Sequence, residues 1–583
     1  MNNEVSMEEL KWWQKAVFYQ IYPRSFADGN GDGIGDFHGM IDRLDYLHDL
    51  GIDALWLSPH YPSPQHDCGY DVADYTGVEP EYGTLDVFKV FLKGAHQRGI
   101  RVILDLVLNH TSDQHRWFIE SRAGRDNPKR DWYVWRDGVD GGPPNNWYSF
   151  FGGSAWEHDP ATDQYYYHAF LRQQPDLNWS NPEVKRAMWD AVRFWLDLGV
   201  DGFRLDAVGT IFEDPALPDY TTGPSQLELY YALCNASSEG ELAQVIEQRE
   251  EIFQYQREQP GLHELMQELR AVVDEYSDRV LVGETDEIAY YGDGTDEVHL
   301  VFNFPLMKTE RITPAWVRAN QQERLSALPP RAWPCNTLGN HDSPRVHSRY
   351  SDGQNDEAIA RLSLALMLTL RGTPFLYNGE EIGMTNLLLE DINQFRDNLG
   401  VWIYHTAVDE FGLPPAEAVG LAARLSRDQC RTPNQWANAP NGGFSPADVQ
   451  PWLPVNPNYT QGVNVADQMD DPDSLLSFYR RMLRMRKQTP ALIAGDYTPL
   501  HEDAKDYLAF LRSSGAEGQT CLVVLNMSDQ ARTLSFDGST ELAEVLDTHT
   551  ARLVFSSHAR DGDTDDLSQL TIAPFEVYIA EIA

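Results

Sequence analysis

The sequence is poor in positive charge. Only 46 of its 583 residues are Lys or Arg, against 89 Asp or Glu, which leaves a formal net charge of −43. A surface this negative repels phosphate backbones and anionic lipid heads, so neither nucleic acid nor a membrane is an expected partner. Lysine is scarcest of all, nine against 37 Arg, a balance that a high-salt cytoplasm favours. The five cysteines (Cys68, Cys234, Cys335, Cys430, Cys521) are scattered and odd in number. They fit neither a disulfide framework nor a thiolate zinc site. Long apolar runs are missing: Leu362 to Leu370 falls well short of the ~20 residues that span a bilayer. The opening MNNEVSMEEL has no basic head followed by an apolar stretch, so no secretory leader is expected. These absences point to a soluble, reduced, cytoplasmic protein.

What is present is a recurring unit. A helix-period segment ends in Gly, and a β-branched residue then opens an apolar strand. MIDRLDYLHDLG precedes IDALWLSP, TLDVFKVFLKGAHQRG precedes IRVILDLVLNH, and NPEVKRAMWDAVRFWLDLG precedes VDGFRLDAV. Thr84 and Asn181 are placed as N-caps, and Gly51, Gly99 and Gly199 as left-handed C-caps. Continuous apolar strands of this kind are buried on both faces, as in a parallel sheet. With AVFYQIYP (16–23), VLVGE (280–284), LVFNFP (300–305), NTLGNHD (336–342) and GTPFLYNGEE (372–381), the count reaches eight. The fold class is therefore α/β, a (β/α)8 TIM-type barrel. An irregular insertion rich in Trp, Tyr, Gly and Pro (111–175) follows the third strand and divides the barrel into 1–110 and 176–495. A second irregular region occupies about 385–460. From about residue 496 to 583 short alternating runs predict a C-terminal antiparallel β-domain.

Barrel active sites gather at the C-terminal ends of the strands. There the sequence places Asp105, Asn109 and His110 in DLVLNH, Arg204 and Asp206 in GFRLDA, Glu284 in VGETD, and His341 and Asp342 in GNHD, with Asp71 of CGYDVADY beside them. A single Asp at a strand end is more often a cap or turn residue, and either His would serve equally well as a satisfied core residue. The joint pattern on successive strands outweighs that reading. Paired carboxylates at one mouth suit glycosidic-bond chemistry, in which one attacks the anomeric carbon and one protonates the leaving oxygen.

DLVLNH, GFRLDAV, VGETDE and GNHD, in this order, resemble the four signature segments of the α-amylase superfamily of glycoside hydrolases; QPDLN and GTPFLYNGEEIGM match two more. The likeness is greatest to its α-glucosidase and oligo-1,6-glucosidase branch, which shares the WWQKAVFYQIYPRSF opening and an RTPMQW-type segment, here RTPNQW. Asn434 replaces the usual Met, and Ala437 replaces a common Asp. The resemblance implies Asp206 as nucleophile, Glu284 as acid/base and Asp342 as the third carboxylate. It implies that His110 and His341 donate to glucose hydroxyls, and that Asp71, Tyr70 and Arg431 cap the non-reducing end. Arg204 is expected to hold Asp206 ionised, because a guanidinium within ~4–6 Å lowers a carboxyl pKa. Ala207, following the nucleophile, implies an α-1,4 preference, where Val would imply α-1,6. Small saccharides are the implied partners, and no organic cofactor is.

The run DGNGDGIGD offers oxygen ligands at Asp28, Asn30, Asp32 and Asp36 with the Ile34 carbonyl between them. It reads either as a solvated acidic turn or as a loop wrapping one hard cation. Similar loops in the branch bind Ca2+ or Mg2+, so a structural ion is expected. The acidic stretch 237–259 is either a solvated helix face or a border of the acceptor side, and the aromatics of 131–170 are either packing or a sugar-stacking rim. Two rival functions stand beside hydrolysis. One is a trehalose synthase-type isomerase, which DEIAYYGDGTDEVHLVFNFPLM resembles; the other is a catalytically dead carbohydrate-associated protein.

Overall fold

The computed structural model describes residues 9–220, 223–235, 239–514, 518–537 and 550–582. The leader-free reading of the opening segment therefore rests on residues mostly outside the described set, as do Ser237 and Ser238 of the acidic stretch.

All eight expected strands form: β1 Phe18–Ile21, β2 Ala54–Leu57, β3 Arg101–Val107, β4 Gly202–Asp206, β5 Val280–Gly283, β6 Leu300–Val301, β7 Cys335–Thr337 and β8 Thr373–Tyr377. Every paired neighbour is parallel. The order β7-β8-β1-β2-β3-β4-β5-β6 closes on itself through a parallel bridge between Phe302 and Cys335, so the sheet is a barrel. Its interior is packed with Phe18, Trp56, Ile103, Val280, Val282, Leu300 and Phe375. β6 and β7 are shorter than their apolar runs suggest. After β6 the chain turns at once into a helix, Phe304–Met307, opened by Pro305, because proline is favoured in a first helical turn and cannot donate to a ladder.

The caps fall where the spacing puts them. The Thr84 hydroxyl accepts from the Val87 N–H ahead of α2 (Leu85–Gln97), and Asn181 accepts from the Glu183 N–H ahead of α3 (Pro182–Asp197). Gly51, Gly99 and Gly199 have φ of 103°, 73° and 101°. The first expected helix is broken in two: Arg43 leaves helical geometry, separating Phe37–Asp42 from α1 (Leu44–Leu50).

The two stretches read as irregular carry more structure than their sequence shows. Residues 111–175 include a helix, Arg116–Arg122, and a three-stranded antiparallel sheet of Trp135–Arg136, Gln164–Tyr167 and Trp156–Asp159. The region 385–460 includes two packed helices, Asn398–Asp409 and Pro415–Leu425, with a core of their own around Ile403, Ala407, Ala418 and Leu421. Among the described residues the C-terminal domain holds a six-stranded antiparallel sheet and a separate two-stranded one. No helix among the described residues is long and apolar enough to cross a membrane. Cys68, Cys335, Cys430 and Cys521 are buried and free.

Candidate active site

One side chain organises the barrel mouth. Arg204 and Asp206 are two residues apart on β4, so both point the same way. Arg204 is 1% exposed. Its Nη1 donates to Asp105 Oδ1 at 2.6 Å and Asp206 Oδ1 at 2.7 Å, and its Nη2 lies 2.7 Å from Glu284 Oε2. The strand ends at Ala207, whose left-handed backbone (φ 42°, ψ 49°) turns its N–H onto the same Glu284 oxygen at 2.8 Å. Three strands thus deliver three carboxyls to one guanidinium.

One positive charge cannot neutralise three negative ones out of water. Burial pushes the Asp206 carboxyl well above its usual range; Arg204 opposes this, but the Glu284, Asp105 and Asp342 charges add to it. Burial likewise raises Glu284, again against Arg204 and with Asp342, and lifts Asp105 to about 6. Arg204 acts on Asp206 in the expected direction, towards the ionised form, while burial and the neighbouring carboxylates act against it. The three carboxyls share Arg204 and act on one another, so their titrations are coupled. Asp342 behaves oppositely. Burial raises it too, but His341, Arg431, Arg427 and Arg204 together outweigh that and hold it well below the carboxylate range.

A cavity of about 420 Å³ opens over these groups. Asp206, Glu284, Asp342, Tyr70, His110 and Ala207 line it; Asp71, His341 and Arg431 do not. The last three are corrections to the expected cap and sugar contacts. Asp71 is completely buried and accepts from Ser63 Oγ and the His66 and Asp67 N–H groups, so it braces its loop. Arg431 is equally buried and donates to Asp342 Oδ1 at 2.5 Å and the His341 carbonyl at 2.9 Å. His341 is sealed beneath Tyr70, its ring nitrogens shared with Gln20 at 2.7 Å and the Tyr70 hydroxyl at 2.5 Å. Burial keeps it neutral, far below its ordinary pKa, despite Asp342. Burial also drives His110 down to about 3.

The groups that do face the cavity in place of Asp71 and Arg431 are Asp67 and Arg427. Arg427 reaches Asp67 at 2.9 Å, Asp397 at 2.7 Å and Asp342 at 3.5 Å, and lies over the Phe151 ring at 4.7 Å. Each sits four residues before the residue expected, in QHDCGYD and RDQCR, and nothing in such short segments tells which copy faces inward. Phe150, Phe151 and Phe170 form an aromatic wall, and the charged Arg249, Glu250, Arg257 and Glu258 line a separate side. The 131–170 aromatics and the acidic stretch therefore both border the site.

The fold and this constellation match a known family: the alpha amylase catalytic domain profile aligns with residues 20–495. The chain belongs to the α-amylase family. It is a glycoside hydrolase of the glucosidase branch of that family. It is 42% identical over 559 residues to a probable α-glucosidase of Rhizobium meliloti (strain 1021), covering 93% of this chain and 95% of that one. It is 39% identical over 593 residues to an oligo-1,6-glucosidase of Parageobacillus thermoglucosidasius, covering 98% and 99%. The crystal structure of trehalulose synthase MutB from Pseudomonas mesoacidophila MX-45 superposes with a TM-score of 0.85 at 38% identity, covering 98% of this chain and 100% of that one.

The acidic loop lies apart from these groups. Asp28 accepts the Gly31, Asp32 and Gly33 N–H groups, and Asp32 accepts that of Ile34. Asp36 accepts from Gly29, Asn30 and Gly39 and caps the helix Phe37–Asp42. Among the described residues no three His, Cys, Asp or Glu groups gather as a metal site. The oxygens of Asp28, Asn30, Asp32, Asp36 and the Ile34 carbonyl are hard donors of the kind that suits Ca2+ or Mg2+, and Asp28 and Asp36 each already accept three backbone N–H groups.

Proposed function

We propose that the protein is a retaining, exo-acting α-glucosidase that releases terminal α-linked glucose from short saccharides, α-1,4 bonds preferred. One observation carries this: a cavity with Asp206 and Glu284 on one guanidinium is walled by the ion-paired Asp67, Arg427 and Asp342. A wall of charge beside the catalytic pair favours a chain end held by its hydroxyls. Asp206 attacks the anomeric carbon while Glu284 gives its proton to the leaving oxygen, and Glu284 then takes a proton from the water that hydrolyses the glucosyl ester. Burial and the Asp342 charge both push the Glu284 carboxyl upward, the direction an acid needs. Asp342, held ionised, faces the positive charge that develops on the sugar. Ala207 lines the cavity beside Glu284, where a small side chain leaves room for the α-1,4 trajectory of the second sugar.

Proton NMR of the first glucose released tests the mechanism. The α-anomer should appear first, and Asp206→Asn should lose several orders of magnitude in turnover. First release of the β-anomer would refute retention.

The MutB likeness favours a second reading, a glucosyl-transferring isomerase of the trehalose or trehalulose synthase type, although RTPNQW argues for the hydrolase branch. Incubation with maltose and with sucrose separates the two, with free glucose expected and isomeric disaccharide as the contrary result. We further propose a structural divalent cation at the Asp28–Asp32 segment, supported by its oxygen donors, and a cytoplasmic location, supported by the free cysteines.

A further inference from the structure

A carboxylate outside the catalytic set reaches the same cavity. Glu258 follows the helix Glu239–Ile252 and lines the cavity together with Ala207, Gly209 and Thr210. Its backbone is left-handed, φ 53°, a conformation disfavoured for any residue with a Cβ and worth noticing where it occurs. Two bonds hold it there. The Glu258 N–H donates to the Gly209 carbonyl at 2.7 Å, and Glu258 Oε2 accepts the Tyr290 hydroxyl at 2.6 Å.

The other oxygen is the informative one. Oε1 lies over Gly209 so closely that a Cβ there would sit 2.2 Å from it. Gly209 is three residues beyond Asp206, so the carboxylate overhangs the segment that carries the nucleophile. Among the described residues no donor reaches Oε1. A carboxylate held by a tyrosine and a left-handed turn thus borders the cavity from its solvent-exposed side, with one oxygen open to water or to a ligand.

Its position assigns the side. Arg427 binds Asp67 and lies beside Asp342, whereas Glu258 lies over Gly209, two residues past Ala207, whose N–H holds the acid Glu284. The acid protonates the leaving oxygen, so the wall next to it belongs to the departing group.

We propose that Glu258 accepts a hydrogen bond from a hydroxyl of the leaving sugar and thereby favours polyhydroxy leaving groups over apolar ones. This rests on the glucosidase reading above. The test compares kcat/KM for maltose with kcat/KM for 4-nitrophenyl α-glucoside, whose leaving group has no hydroxyl to donate once bound to glucose. In Glu258→Ala the maltose-to-aryl ratio should fall about tenfold or more, as expected for loss of a charge-assisted hydrogen bond. Glu258→Gln, whose amide oxygen still accepts, should recover part of that loss. Gly209→Ala, which displaces the carboxylate without removing it, should lower the ratio in the same direction. A ratio within about twofold of wild type in Glu258→Ala, or an equal fall on both substrates, overturns the proposal. Failure of the wild-type protein to release glucose from either substrate would instead overturn the glucosidase reading.

Discussion

Replacing Arg204 with Met would test the electrostatics of the site most directly. Arg204 is nearly sealed from solvent and bonded to Asp105, Asp206 and Glu284. At an effective dielectric near 20, charges ~4 Å apart attract by about 4 kcal/mol. At 1.36 kcal/mol per pKa unit, losing that attraction should raise each carboxyl by up to about 3 units. Asp206 would then be protonated over more of the pH range, so the acid limb of kcat/KM should move to higher pH by about 2–3 units. Stability should fall by about 3–5 kcal/mol, the cost of breaking a buried charge pair. The sign of its pH dependence follows from the direction of the shift. A carboxyl whose folded pKa lies above its unfolded value contributes stability below the unfolded pKa and loses it as pH rises through the folded one. The deficit of the variant relative to wild type should therefore be larger at pH 8 than at pH 5. Rate profiles on an aryl glucoside and melting curves at both pH values check this. A folded variant with an unmoved acid limb would refute the reasoning.

Ala207→Val should shift preference from maltose toward isomaltose by about 10–200-fold or less, since methyl groups at such a contact are worth ~1–3 kcal/mol. It should also cost stability, because a β-branched residue fits poorly at φ 42°. A wild-type enzyme that favours isomaltose would remove Ala207 as the linkage determinant. Arg427→Lys keeps the charge but loses the fork across Asp67 and Asp397, so kcat/KM should drop about tenfold or more; an unchanged value would exclude Arg427 from substrate binding. Chelation, or Asp32→Ala, should lower the melting temperature, since a bound ion at a hundredfold excess over Kd stabilises by about 2.7 kcal/mol. Melting curves identical with and without chelator would end the cation proposal.

Much of this molecule is determined by sequence alone. Eight apolar runs, three of them preceded by Gly-capped helices, specify a parallel barrel, because strands buried on both faces have few other arrangements open to them. Barrel geometry then sends the residues at strand ends to one mouth, so Asp206, Glu284, Asp342, Arg204 and His110 were legible from their places in the strands. The paired helices of the 385–460 region were not, lost among Gly- and Pro-rich segments without a clear period. Only tertiary structure decided between Asp71 and Asp67, or between Arg431 and Arg427. These pairs lie on loops, where a four-residue step changes which side chain faces the cavity and no strand or helix period fixes the answer. It also decided that His341 supports Tyr70 from below, and that Arg204 is shared among three carboxyls. The charge on Asp206 depends on burial and on partners from three strands far apart in the chain. Those are properties of the assembled barrel, and no local pattern encodes them.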